Sequence, residues 1–232
     1  MIDIQNLCVT LNHRKVLNEI SLVFRSGIYY LTGLNGSGKT TLLRTLSGLL
    51  PYTGSVVLDG KELSHTPANR VAHRIAFVPQ RLDVPFDINV YDFLLTGRYP
   101  YLNWLGDYSA SDHQIVADVI RQLTLEDYTS RNLREISGGE LQKVMLGRAL
   151  IQQTPVLVLD EPAQSLDPKN KSFLFSFLKS LAVQGKTIIC STHDLEPLDD
   201  PEVWVTAIRE GKVVFSERGG DLRKILMEEV YF

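Results

Sequence analysis

The sequence predicts an α/β fold, a parallel sheet covered by helices and interrupted once by a helical insertion. Three observations carry that expectation. Apolar strand-like runs alternate with helical periods on both flanks of the chain. A glycine-rich loop joins an apolar strand to a helix at residues 33–40. From about Leu82 to Thr154 the patterning turns helical and then reverts to alternation.

Taken in order, strands are expected at residues 2–9, 20–24, 28–32 and 55–58, broken at Gly27, Gly33 and Gly54. Residues 39–50 carry Leu42, Leu43, Leu46, Leu49 and Leu50 at helical spacing. Asp59-Gly60 marks a hairpin turn, and a short buried strand follows at residues 75–78. In the insertion, residues 89–95 and 111–123 read as helices, the second opened by Ser111-Asp112. Ser137-Gly138-Gly139-Glu140 opens another, running to about Gln152. Strand 156–159, helix 169–183, strand 187–191, strands near 203–208 and 213–216 and a terminal helix complete the pattern.

With 232 residues, 44% hydrophobic and 22% charged, the chain has enough apolar material for one large core and a smaller subdomain. A net charge of −3 supplies no global basic field, so no nucleic-acid partner is expected. Cys8 and Cys190 sit singly in apolar runs and read as small core residues of a reduced compartment. The start, Met1 to Asn6, lacks the basic and apolar runs of a secretory signal. No stretch approaches the run of about 20 apolar residues that spans a bilayer, so action at a membrane is expected to go through another subunit.

The chemistry concentrates in two places. Gly33-Leu34-Asn35-Gly36-Ser37-Gly38-Lys39-Thr40 lies between a strand and a helix. Glycines let backbone N–H groups wrap phosphates, and the helix start adds partial positive charge. Lys39 is expected to reach β/γ oxygens and Thr40 to ligate Mg²⁺. Val156-Leu157-Val158-Leu159-Asp160-Glu161 then delivers two carboxylates at the end of a buried strand. Asp160 is expected to hold Mg²⁺ through water, and Glu161 to polarise the water that attacks the γ-phosphate. Gln80 and His193, each just past a strand, are suited to reach the metal and a γ-phosphate oxygen. Ser137-x-x-Glu140 fits a capping box, and its double glycine also bares N–H groups at a helix start.

Together and in this order, the motifs resemble the nucleotide-binding subunit of an ABC (ATP-binding cassette) ATPase. The resemblance covers residues 2 to about 216 and adds Ser165-Leu166-Asp167 as a further marker. It implies a P-loop NTPase core with a mixed sheet and an antiparallel β subdomain, from residues 1–80 and 155–232, and a helical subdomain at 81–154. It also implies ATP and Mg²⁺ as ligands and a head-to-tail homodimer that sandwiches two ATPs. Nucleotide binding would fall to Gly33, Asn35, Gly36, Ser37, Gly38, Lys39, Thr40 and Thr41. The metal would be held by Thr40, Gln80 and Asp160, and catalysis carried by Glu161, His193 and Gln80. Ser137, Gly138, Gly139 and Glu140 would act on the partner's nucleotide, with Asp167 at the dimer seam.

The chain departs from the family pattern at Ile136 and Glu140, where leucine and glutamine are more frequent, and at Ala163 in place of threonine. The aromatic that stacks on adenine falls on Leu11. Either His13 or Arg14 stacks on the base, or Leu11 makes a weaker apolar contact. The run Val90 to Tyr101, then Trp104 and Ser109-Ala110-Ser111-Asp112, looks like the ATPases of importers for iron-siderophore complexes, haem and cobalamin. Tyr99, Tyr101 and Trp104 also suit packing of a loop on the helical part. Such an ATPase implies two membrane-spanning permease subunits, a solute-binding protein acting indirectly, and a place on the cytoplasmic face of the inner membrane. The permease contact is expected at Arg81 to Asp87, with Val84, Pro85 and Phe86 as an apolar patch. A soluble ABC ATPase of the iron–sulfur assembly or repair type is the alternative. A phosphate-loop kinase or GTPase leaves Ser137–Glu140 and His193 unexplained.

Overall fold

The computed structural model describes residues 1–83, 87–102, 106–220 and Leu222. The apolar patch expected at Val84, Pro85 and Phe86, as well as Trp104 and the terminal helix, lie outside the described residues.

The N-terminal strands β1 (Ile2–Leu11), β2 (Arg14–Phe24), β4 (Thr53–Leu58) and β5 (Lys61–Glu62) form an antiparallel sheet in the order β2-β1-β4-β5. β2 begins six residues earlier than its apolar pattern predicts. Asn12 and His13 both take positive φ, 46° and 62°, and close a two-residue hairpin without the usual glycine signal. Gly54 lies inside β4, at a register shift between Gln5↔Ser55 and Cys8↔Thr53, whereas the sequence predicts a break there ahead of a strand at 55–58. Asp59-Gly60 forms its expected turn, with φ 49° and 80°.

The second sheet has six strands in the order β10-β9-β3-β8-β7-β6. β3 (Gly27–Thr32), β6 (Ile75–Val78), β7 (Val156–Leu159), β8 (Thr187–Ser191) and β9 (Trp204–Arg209) run parallel to their neighbours. β10 (Lys212–Arg218) adds antiparallel to β9, so the sheet is mixed. Every residue of β7 and β8 is buried, as a central parallel strand requires. Alternate residues serve two cores. Tyr29, Leu31, Val158 and Ile189 face a cluster built with β1, β2, β4 and helix α1 (Lys39–Leu46). Tyr30, Leu157, Leu159 and Ile188 face a cluster that reaches the helices of the insertion.

Helix α1 stops at Leu46, short of the predicted Leu50. Gly48 takes φ 72°, its N–H donates to Thr45 O and the Leu49 N–H reaches back to Arg44 O, both at 2.9 Å. This Schellman closure leaves Leu49 exposed. The next helices are α2 (Ala68–Ala72), α3 (Val90–Leu95), α4 (Ala110–Leu123) and α5 (Gly138–Ile151). α4 is capped by Ser109, not Ser111: Ser109 and Asp112 bond each other's backbone N–H in a capping box. α6 (Pro168–Val183) follows β7 and completes the layer.

In the run Gly97 to Tyr101 the packing on the helical part is carried by Arg98 and Tyr101. Arg98 is buried, with Nε 2.6 Å from Asp112 Oδ1 and Nη1 3.0 Å from Ile151 O. Its guanidinium lies over the Tyr101 ring, whose hydroxyl donates to Gln152 O at 2.8 Å. Hydrogen bonds from Ser109 and the Arg98 guanidinium hold the Asp112 carboxyl at about 2. Tyr99 is exposed and stacks on Tyr108.

Candidate functional site

β3 carries the chain into the phosphate loop through Gly33, where a Cβ would stand 2.1 Å from Ile208 O. Only glycine permits that approach of two backbones. The loop is braced from the far end of the sequence: in the β9–β10 turn, Gly211 N–H donates to Ser37 O at 2.9 Å. Gly211 O in turn accepts from Asn18 N–H at 2.8 Å. Lys39, at the start of α1, is almost fully buried, and its Nζ donates to Gly33 O at 2.7 Å and Leu34 O at 3.1 Å. Burial pushes its amine below the ordinary lysine range, while Glu161 and Asp160 pull it back up. Ser37 Oγ is buried with no partner among the described residues. Thr40 and Asn35 are exposed at the rim.

β7 delivers the two acids differently. Asp160 is 2% exposed; its N–H donates to Val78 O at 2.9 Å and its Oδ1 accepts from Ser191 Oγ at 2.7 Å. Glu161 turns away with φ 47°, an uncommon conformation for a side-chain-bearing residue, and its N–H donates to the same Ser191 Oγ at 2.8 Å. Its carboxylate is bridged on both oxygens. Gln80 Nε2 donates to Oε2 at 3.0 Å, and His193 Nε2 stands 2.7 Å from Oε1. Gln80 Nε2 also donates to Gln164 Oε1 at 2.9 Å. Gln80 thus meets a carboxylate and an amide through its nitrogen, which leaves its Oε1 for a cation.

A cavity of about 430 Å³ brings Asn35, Gly36, Gly38, Lys39, Thr40, Thr41, Gln80, Glu161 and His193 together, whereas Gly33, Ser37 and Asp160 do not line it. It adds Val16 and Gln164, which the sequence reading missed. Val16 looked like an ordinary alternating strand residue, and Gln164 like a loop amide. Ser191, which joins the two acids, was visible only as a strand end. Asp160, Thr40 and the free amide oxygen of Gln80 are hard oxygen donors, a set that suits Mg²⁺. Leu11, His13 and Arg14 do not line this cavity.

Ser137 to Glu140 are not in it either. Ser137 and Gly138 are exposed. Ser137 N–H donates to Glu140 Oε2 at 2.7 Å and Glu140 N–H to Ser137 Oγ at 3.3 Å, the reciprocal capping box at the start of α5. The Tyr128 hydroxyl also bonds Glu140, and this with the Ser137 bonds holds its carboxyl below the usual range. Asp167 caps α6, accepting from Asn170 N–H at 2.9 Å.

A family model described as ABC transporter matches residues 17–164. The chain belongs to the ABC transporter family. It is similar to the achromobactin transport ATP-binding protein CbrD of Dickeya dadantii, 39% identical over 183 residues, 78% of this chain and 68% of that one. It is similar also to the manganese transport system ATP-binding protein MntB of Listeria innocua, 34% identical over 196 residues, 83% of this chain and 80% of that one. The fold superposes on a bacterial ABC transporter cassette solved in dimeric form. The TM-score is 0.82 at 23% identity, over 94% of this chain and 98% of that one. This ABC protein is an ATP-binding, ATP-hydrolysing domain, and no helix among its described residues is long and apolar enough to cross a membrane.

Proposed function

We propose that the chain is the ATP-hydrolysing subunit of an importer for a metal chelate such as an iron-siderophore, haem or cobalamin, working as a homodimer. One observation carries the dimer: the cavity holds one set of the family's motifs, while Ser137–Glu140 lies outside it on an intact helix start, with Ser137 and Gly138 exposed. A second copy supplies Ser137, Gly138, Gly139 and Glu140 to the γ-phosphate, and Asp167 sits at the seam. The likeness to a dimeric cassette supports this arrangement.

In each half-site the loop from Gly33 to Thr41 wraps the phosphates with backbone N–H groups. Lys39 exchanges its bonds to Gly33 O and Leu34 O for phosphate oxygens, and Ser37 Oγ gains a partner. Thr40, Asp160 and Gln80 would hold Mg²⁺, which when bound would supply positive charge against the phosphate oxygens. Glu161 takes up the attacking water once Gln80 or His193 releases one of its oxygens. His193 then bonds the γ-phosphate, so nucleotide binding frees the base that it needs.

A metal or metal-chelate cargo is supported by the names of relatives, achromobactin transport for CbrD, manganese transport for MntB and siderophore transport for YusV of Bacillus subtilis. The cargo reaches this subunit only through two permease subunits and, indirectly, a solute-binding protein, with the ATPase at the cytoplasmic membrane face. A groove of about 720 Å³ between α1 and α2, lined by Leu49, Leu50, Pro51, Val71 and Phe77 with Arg148, offers an apolar seat for a permease segment.

Glu161→Gln tests the core of this reading. With ATP the variant should elute as a dimer in size-exclusion chromatography and hydrolyse nothing. A monomer that still turns over would sink the proposal. For the cargo, transport assays of the reconstituted complex with siderophore–iron, haem, cobalamin and free Mn²⁺ separate the chelates from the bare ion.

A further inference from the structure

A second cavity, of about 180 Å³, backs onto Glu161 and His193, and its far wall is made by Lys171, Thr192 and Asp194. Lys171 stands in the first turn of α6, where its N–H donates to Asp167 O at 2.9 Å. Its Nζ straddles the Asp194 carboxylate, 2.8 Å from Oδ1 and 3.1 Å from Oδ2. The stretch from Thr192 to Asp194 belongs to no helix or strand. It is held at one end by the Thr192 N–H to Leu31 O, at 3.0 Å, and is pinched by the Asp194 N–H to Thr192 Oγ1, at 3.0 Å. His193 is at the tip of that turn, with its Nε2 2.7 Å from Glu161 Oε1. Ala163, also on the lining, offers only a methyl group, and the ion pair that ties the turn to a helix is the one from Lys171 of α6.

We infer that the Lys171–Asp194 ion pair is a positioning device for hydrolysis, locking the turn that aims His193 at Glu161. Neither residue touches the reacting atoms. Both side chains are about a third exposed or less, 26% and 33%, and a pair so wetted adds little to fold stability. Its effect is geometric: an imidazole on an unbraced turn samples positions away from the carboxylate and from any γ-phosphate oxygen beyond it. The inference rests on the reading that Glu161 and His193 work on the γ-phosphate.

The test uses the full chain. Lys171→Met should lower kcat by roughly tenfold or more, the cost of a misplaced catalytic group. KM for ATP and the equilibrium Kd for a fluorescent ATP analogue should move by less than about twofold, since ground-state binding is untouched. Lys171→Arg should retain most of the rate. The exchange of Lys171→Asp with Asp194→Lys should recover much of what Lys171→Asp alone loses. In a His193→Ala background, Lys171→Met should cost nothing further, because its effect runs through the imidazole. An unchanged kcat in Lys171→Met, or a fully additive loss in the His193→Ala background, would overturn the inference while leaving the reading of the site intact. If His193→Ala alone leaves kcat unchanged, the reading of the site itself fails and the inference falls with it. Should Lys171→Met not fold, the arginine variant and the charge exchange decide the matter on their own.

Discussion

The phosphate-loop region and the signature region are both helix starts with bared N–H groups, yet the chain builds them in opposite ways. Around the loop, Lys39 and Asp160 are buried and Ser191, Gln80 and His193 hold the two acids in a defined arrangement. At Ser137 the surface is open, and the polar groups satisfy one another within a single turn. One is a cavity that can bind a nucleotide within a single copy of the chain. The other is a capped helix start, with Ser137 and Gly138 exposed. The same local device, an anion-attracting helix start, becomes a pocket or a docking face according to what the rest of the fold puts beside it.

Breaking the two regions separately should separate binding from turnover. Lys39→Ala removes the ammonium group expected on the phosphates, and ATP affinity should fall by roughly 10²-fold or more in equilibrium binding, with turnover lost. Ser137→Trp should leave that affinity intact and cut kcat by roughly 10²-fold, since it blocks only the surface that meets a second copy. If Ser137→Trp weakened ATP binding by the isolated monomer, the contrast between pocket and docking face would be wrong.

The signature helix also depends on a buried anchor at its far end. Arg98→Met strands the buried Asp112 carboxylate and should cost about 3 kcal/mol, lowering Tm by roughly 10 °C in a calorimetric scan. The same carboxyl gives a pH signature. Its folded value, about 2, lies below the ordinary 3.8, so its contribution is complete above about pH 4 and lost as pH falls toward 2. Ser109→Ala should flatten that acid limb most, and Arg98→Met should flatten it in part. The smallest effect belongs to Asp167→Ala: losing a helix cap should cost about 1 kcal/mol in urea unfolding. A kcat loss larger than that stability change accounts for, at unchanged Kd, would assign Asp167 a second role at the seam.

Much of this was legible in the residues. The loop from Gly33 to Thr40, the acids after β7 and the placement of Gln80 and His193 past strand ends all follow from short, local patterns. The hairpin at Asn12-His13 was not legible, because neither residue is glycine and left-handed backbone there is selected by strand twist. The end of α1 was misread because Leu49 and Leu50 continue the helical period beyond the Gly48 stop. Ser191 and Gln164 were invisible for a different reason. Their roles come from strand order, which puts β8 beside β7 and Gln80 against a loop far along the chain, and no local window contains that information.

The brace at Gly211 has a consequence for the order of events during synthesis. Ser37 carries the loop's own carbonyl to a turn near the end of the described chain, and Ile208 sits against Gly33. A nascent chain exposes its phosphate loop early, but the floor of that loop emerges from the ribosome late. A loop braced in this way is shaped for nucleotide only when the β9–β10 hairpin is docked against it, so bound ATP stabilises the joining of two parts of the chain that are far apart in sequence.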